Sequence, residues 1–317
     1  MNLQKPVVRD QEALTPHYAR YRISLCQQNG WLDERLQRGR MERVAFSELL
    51  RHYDLVLLDA FGVLNRGAEP IPGAVERVAQ LYATKQPFLV LSNNASQAPQ
   101  RLEAQLSRMG FAIRQAEICT SGMAVRPFVH NSPFQGLPYY LVGTPDSAAA
   151  YAADPETLCL NQQPGEAWRA SRYILLCSNR DYYGTSQQQQ VEQLLAAQPL
   201  PILLANPDLV TPNASEGFSA VAGYTAAEWI EQFHCPWIGI GKPFPPLYTL
   251  VRQRFPDLLP ERILMVGDTL DTDILGGAAQ GFATCLALSG ACTEESLATL
   301  CTWRGIRPDF VVQSIAD

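Results

Sequence analysis

Positive charge is in short supply. The chain carries 25 Lys and Arg against 31 Asp and Glu, a formal net charge of -6 and a pI near 5.3. With no basic footprint for a phosphate backbone, neither nucleic acid nor an anionic membrane is expected as a partner. Long apolar runs are absent too: nothing approaches the roughly 18 residues of a membrane span, and Met1 to Pro6 leads into polar residues, not a signal-peptide core. Histidine occurs only four times, at His17, His52, His130 and His234, and none lies in the clusters described below, so His-based catalysis and His-ligated metals start without support. The eight cysteines form no Cys-x-x-Cys pair and sit in apolar surroundings, as small buried hydrophobes of a reducing compartment do. A cytoplasmic location is the expectation.

What remains is an ordinary globular composition, 47% hydrophobic over 317 residues, long enough for two domains and a real cavity. Residues 1–50 read as a helical N-terminal extension that packs on the core, with Met41, Val44, Ala45 and Leu49 at helical spacing. The run Leu55-Val56-Leu57-Leu58, apolar on both faces and bounded by Asp54 and Asp59, reads as a strand buried in a parallel sheet. A helix over 73–83, a strand over 88–91 and a helix over 99–109 continue the βαβ alternation of a doubly wound α/β fold. From 126 to 236 the texture changes to short apolar runs between Pro-, Gln- and Asn-containing loops, a second α/β unit inserted into the first. The core, 51–125, then resumes over 237–317 with runs at 237–240, 262–266, 283–288 and 310–312.

In open α/β sheets ligands bind beyond the carboxyl ends of the strands. Four polar clusters fall at such ends: Asp59-Ala60-Phe61-Gly62, Ser92-Asn93-Asn94, Gly241-Lys242-Pro243, and Gly267-Asp268 running on to Thr272-Asp273. Asp59 can attack phosphorus as a nucleophile. Ser92, Asn93 and backbone amides such as that of Gly62 can hold phosphoryl oxygens, and Lys242 can neutralise charge. Asp59 and Asp268 can share a hard divalent cation, because carboxylates crowded at neighbouring strand ends repel unless a cation or proton lies between them; Mg2+ resolves that conflict. A Walker loop is excluded by Pro236 and Pro243 where it needs Gly and Ser or Thr.

The four clusters, in this order, resemble motifs one to four of the haloacid dehalogenase superfamily. Ile71-Pro72-Gly73-Ala74, the Asn93-Asn94 pair, Asn206-Pro207-Asp208 and Thr272-Asp273-Ile274 resemble its class IIA branch, the NagD and p-nitrophenyl phosphatase-like proteins. The resemblance spans about residues 53–290 and implies a Rossmann-like core, an inserted type-two cap and Mg2+-dependent phosphoryl transfer through an aspartyl-phosphate. It makes Asp59 the nucleophile and a metal ligand, the Phe61 carbonyl and Asp268 further ligands, Asp273 an outer partner, and Ser92 and Lys242 the phosphoryl binders. Asn206 and Asp208 are candidates for touching substrate.

One position departs from the pattern. Where phosphatases of this superfamily carry a second aspartate two residues after the nucleophile, this chain has Phe61. The carbonyl survives the change but the proton shuttle is lost, a deficit of about 3 to 5 kcal/mol of barrier on alkyl phosphates. The expectation is a hydrolase of a small phosphorylated metabolite, slow on alkyl esters, that releases an activated leaving group in a burst and accumulates phosphoenzyme until Phe61→Asp restores the missing group. Two alternatives are a low-turnover phospholigand-binding or regulatory protein and, from the Asp-Ala-Phe-Gly order, a 2-haloacid dehalogenase working without metal. A cap-mediated homodimer is compatible with the resemblance. Asp271 is expected as an exposed helix-start residue, Phe61 as a group packing on substrate, and Tyr182, Tyr183, Tyr224 and Trp229 as core or interface.

Overall fold

The computed structural model describes residues 6–151, 165–212 and 218–317; Cys159 lies outside them. A seven-stranded parallel sheet runs in the order Glu42–Arg43, Phe310–Val312, Ala283–Ala287, Ile263–Gly267, Leu55–Leu58, Phe88–Ser92, Ile118–Thr120. Its central strands are almost wholly apolar because both faces are covered. Val56 and Leu58 pack with Val90, Leu264 and Val266 on one face, while Leu55 and Leu57 pack with Leu89, Ile263 and Met265 on the other. Helices Ala74–Ala83 and Pro99–Arg108 follow the strands as their patterns require.

After the edge strand Glu42–Arg43, the chain crosses to the centre of the sheet at Leu55–Leu58, builds outward through Phe88–Ser92 and Ile118–Thr120, and later returns on the opposite side of Leu55–Leu58 with Ile263–Gly267. Connections therefore diverge between Leu55–Leu58 and Ile263–Gly267. This is the topological switch point, where a crevice opens beyond the carboxyl ends. Asp59 and Asp268 are the first residues past those two ends, and Ser92 ends the strand on the other side of Leu55–Leu58.

A second parallel sheet, four-stranded, has the order Trp237–Gly239, Ile202–Leu204, Tyr173–Leu176, Tyr139–Val142. Trp237–Gly239, expected to resume the core, instead pairs with Ile202–Leu204, so the inserted sheet extends past residue 236. Periodicity cannot tell which of two sheets accepts a short apolar run; the pairing partner decides it. Tyr182 and Trp229 are buried in the core of this unit and Tyr183 packs against it.

The N-terminal segment does more than pack. Val7–Val8 pairs antiparallel with Phe218–Ala220, which pairs with Val210–Pro212. Helix Thr15–Gln28 buries Tyr18, Tyr21 and Leu25 in a cluster that also holds Leu209, Phe244, Leu270 and Leu300. The helix expected around Met41 to Leu49 is shorter. Glu42–Arg43 joins the edge of the large sheet beside Phe310–Val312, with the Met41 and Glu42 amides donating to the carbonyls of Pro308 and Asp309 at 3.0 and 2.9 Å, and only Phe46–Leu49 is helical. Edge pairing outcompetes a weak amphipathic pattern. No helix among the described residues is long and apolar enough to cross a membrane.

Candidate active site

Lys242 is the hub of the crevice. Its side chain is 2% exposed, and its Nζ donates to Asp59 Oδ1 at 2.7 Å and to Asp273 Oδ1 at 2.6 Å. An ammonium this deeply buried stays charged only when paired. Burial alone would push Lys242 down, but Asp273 and Asp59 more than compensate and hold it well above its ordinary value.

The lysine is placed by Asn93. Asn93 Oδ1 accepts from the Lys242 backbone amide at 2.6 Å, and Asn93 Nδ2 donates both to the Lys242 carbonyl at 3.0 Å and to Asp208 Oδ1 at 2.8 Å. Asn93 was expected among the phosphate binders; the structure gives its side chain wholly to bracing Lys242 and Asp208. Gly241 makes this brace possible, since a Cβ there would lie 2.4 Å from Asn93 Oδ1. Ser92 is buried, and its Oγ accepts from the Asn94 amide at 3.2 Å, which leaves the hydroxyl proton to donate into the crevice.

Asp268 sits in a cradle of glycine. Its Oδ2 accepts from the Ala291 amide at 2.6 Å and its Oδ1 from Thr269 Oγ1 at 3.1 Å. A Cβ at Gly290 or Gly62 would lie 1.9 or 2.0 Å from Oδ2, so both positions require glycine. Gly62 also has φ +82°, the left-handed region that favours glycine. Its amide donates to the Asn65 carbonyl at 2.8 Å and its carbonyl accepts from Ser289 Oγ at 2.6 Å. Gly62, expected among the phosphate binders, thus also makes room for Asp268.

Leu270–Ile274 forms a π-helical turn, a widening that recurs at functional sites. It directs Asp273 toward Lys242 while Asp273 Oδ2 accepts from the Thr269 amide at 3.1 Å. Asp271, expected to be exposed, is 5% exposed and pairs with Arg304 Nε at 2.8 Å. The partner, 33 positions later, is invisible to local pattern.

Asp59, Asp268 and Asp273 each offer a carboxylate oxygen within 4.8 Å of one another. Burial, with Asp273 and Asp268 beside it, pushes Asp59 well above the usual carboxylate range, against the pull of Lys242. Burial, then Asp273, pushes Asp268 up to about 7. Three carboxylates against one ammonium leave an excess of two negative charges in a low-dielectric crevice. An all-oxygen donor set with that excess suits a hard divalent cation.

The cleft over these groups has two lobes, of about 50 and 190 Å³, that share Asp59, Phe61, Asp208 and Thr211. Phe61 is 38% exposed and turned to the cleft, so it does not fill a hole in the core. Asn206 and Asp208, the sequence candidates for substrate contact, both line the larger lobe. The smaller lobe is walled by residues with no local signal, among them Gln11, Tyr18 and Arg304. Gln11 Nε2 donates to the Ala291 carbonyl at 3.1 Å, and Tyr21 Oη to the Pro207 carbonyl at 2.8 Å. The N-terminal segment thus touches both the loop that holds Asp268 and the loop that carries Asp208.

Comparison with known proteins agrees with this geometry. Residues 56–154 match the family model described as haloacid dehalogenase-like hydrolase, and residues 239–317 match one described as HAD-hydrolase-like. The chain is 28% identical over 300 residues to glycerol-3-phosphate phosphatase of Gallus gallus, covering 88% of this chain and 95% of that protein. It is 27% identical over 265 residues to dihydroxyacetone phosphatase of Corynebacterium glutamicum, covering 82% and 89%. Among solved structures, a possible sugar phosphatase of the HAD superfamily from Cytophaga hutchinsonii superposes with a TM-score of 0.78 at 26% identity, covering 87% of this chain and 99% of that one.

Proposed function

Because the chain belongs to the haloacid dehalogenase-like hydrolases, we propose that it is a Mg2+-dependent phosphomonoesterase that cleaves a small phosphorylated metabolite through an aspartyl-phosphate on Asp59. The observation that carries this reading is the juxtaposition of Asp59, Lys242, Asp268 and Asp273 at the switch point, with paired oxygens and nitrogen 2.6 to 2.7 Å apart. Two relatives whose names specify small phosphate esters support the substrate class, and lobes of about 50 and 190 Å³ suit a small leaving group.

In this reading Lys242 holds one oxygen of Asp59 and orients the other lone pairs toward phosphorus. As charge spreads over the transferring group, the ammonium and the Ser92 hydroxyl stabilise it without reorganising, because both are fixed before substrate arrives. Asp273 keeps Lys242 charged and in place. Asp59, Asp268 and the Phe61 carbonyl would hold Mg2+, which when bound offsets the negative charge of both the site and the phosphoryl group. A buried Asp268 has no work to do in metal-free attack on carbon, which argues against dehalogenation. Acidic composition and seven free cysteines among the described residues support the cytoplasm as location.

The test is Mg2+-dependent release of phosphate from p-nitrophenyl phosphate, abolished by chelator and by Asp59→Asn in a folded protein. Undiminished activity in Asp59→Asn overturns the nucleophile and with it the mechanism.

A further inference from the structure

Cleavage of an alkyl phosphate needs a proton for the departing oxygen, and hydrolysis of the acyl phosphate needs a base for water. Among the described residues the cleft offers few groups for that work. Asp59 is the nucleophile, Asp268 is enclosed by the Ala291 amide and Thr269 hydroxyl, and Asp271 is paired with Arg304. Burial pushes the Tyr18 hydroxyl well above its ordinary value and the Cys292 thiol up to about 12, so neither serves near neutrality. No histidine lines either lobe.

Asp208 remains. It borders both lobes together with Asp59 and Phe61. Its carboxylate is aimed by Asn93 Nδ2, 2.8 Å from Oδ1, through the same side chain that positions Lys242. Its backbone is anchored on both sides: the amide donates to Asn206 Oδ1 at 3.0 Å, and the carbonyl accepts from the Gly223 amide at 2.9 Å. At Gly223 a Cβ would lie 2.3 Å from the Pro207 carbonyl, so this close approach needs glycine. A carboxylate held this firmly at the mouth of two cavities is built for a fixed reaction coordinate and not for solvation.

We propose that Asp208 is the proton carrier of this active site, supplying from the inserted unit what Phe61 cannot supply from the core; the proposal rests on the phosphatase reading above. In the first half-reaction an Asp59 oxygen bonds to phosphorus, the bond from phosphorus to the ester oxygen breaks, and that oxygen leaves as the alcohol with the proton of the Asp208 carboxyl. In the second, water attacks phosphorus and gives a proton to the Asp208 carboxylate. The bond from phosphorus to Asp59 breaks, and inorganic phosphate leaves with both side chains restored. Burial raises Asp208 to about 6, against the pull of Lys242, Asn93 and Thr272 and with Asp273 adding to the rise, which suits a group that must both give and take a proton.

The experiment compares Asp208→Asn, Asp208→Asn/Phe61→Asp and Asp59→Asn with the unmodified protein, using glycerol phosphate and p-nitrophenyl phosphate with Mg2+. Asp208→Asn is expected to lose about 10²-fold in kcat on the alkyl ester while still releasing nitrophenolate in a burst, since an activated anion leaves without a proton. Phosphoenzyme should accumulate in it, and adding Phe61→Asp should recover at least about tenfold. Asp208→Asn within about threefold of the unmodified protein on glycerol phosphate overturns the proposal, as does loss of the burst itself, which would mean a role in binding. If Asp208→Asn does not fold, the unmodified protein decides. A shallow dependence of kcat/KM on leaving-group pKa across aryl and alkyl phosphates supports a built-in acid, and a steep one overturns it. Activity in Asp59→Asn would instead sink the phosphatase reading, so the two failures are distinct.

Discussion

Replacing Gly290 by alanine adds one methyl group beside the Asp268 carboxylate. The added Cβ would lie 1.9 Å from Oδ2 and 2.5 Å from Cγ, where real contacts do not fall below 3.0 Å, so Asp268 has to retreat by at least about 1.1 Å. It cannot retreat freely. Gly62 crowds the same oxygen, since a Cβ there would lie 2.0 Å from it, and the Ala291 amide holds that oxygen at 2.6 Å. The φ of Gly290 lies outside the left-handed region, so alanine adds no backbone strain and the effect is confined to the carboxylate. A displacement of about 1 Å at a reacting site costs about 10²-fold in rate, or roughly 2.7 kcal/mol of transition-state stabilisation. Gly290→Ala is therefore expected to lower kcat/KM on p-nitrophenyl phosphate about 10²-fold and to raise the Mg2+ concentration at half-maximal rate, with the circular dichroism spectrum unchanged. Gly30→Ala is the control: no atom lies within 4 Å of its added Cβ, and it should leave activity intact while stabilising the fold by about 0.4–1 kcal/mol. Full activity and unchanged Mg2+ response in Gly290→Ala would refute the metal-ligand role of Asp268.

Arg304→Met strips the buried Asp271 of its 2.8 Å partner and frees the Gln11 carbonyl, bonded at 3.0 Å; denaturant unfolding should show a loss of about 3–5 kcal/mol. Tyr21→Phe removes the 2.8 Å hydrogen bond to the buried Pro207 carbonyl and should cost about 1–2 kcal/mol by the same assay. Burial pushes the Cys119 thiol up to about 11 and that of Cys235 to about 11. Their thiolate fraction is therefore small at pH 8 and grows only as pH approaches those values. Among the described cysteines the half-buried Cys26 should be alkylated first in the native protein, as mapped by peptide mass spectrometry, and prior labelling of Cys119 or Cys285 would contradict the burial described here.

Much of the site was legible one strand at a time. A strand covered on both faces is largely apolar, so its polar ends stand out, and Asp59, Ser92 and Asp268 are legible because each ends or follows such a run; Lys242 follows the apolar run 237–240, which is an edge strand of the smaller sheet. What the residue type could not convey was the direction of each hydrogen bond. Asn93 and Gly62 sit where phosphate binders would, but the Asn93 side chain is engaged by Lys242 and Asp208, and the Gly62 amide and carbonyl by Asn65 and Ser289.

The βαβ order, the buried strands and the clustering of acids and one lysine at strand ends can be read along the chain, because period and composition act over a few neighbouring residues. Tertiary packing alone puts Trp237–Gly239 in the inserted sheet, Asp271 against Arg304, Gln11 and Tyr18 on the cleft wall, and Asp208 and Asp59 in the lining of one cleft. Each of these joins groups far apart along the chain. Asn93 and Asp208 are 115 positions apart and Gln11 and Ala291 280. Such pairings are selected by which buried polar atoms can satisfy one another once the sheets have packed, and a desolvated donor or acceptor is costly enough to enforce the choice.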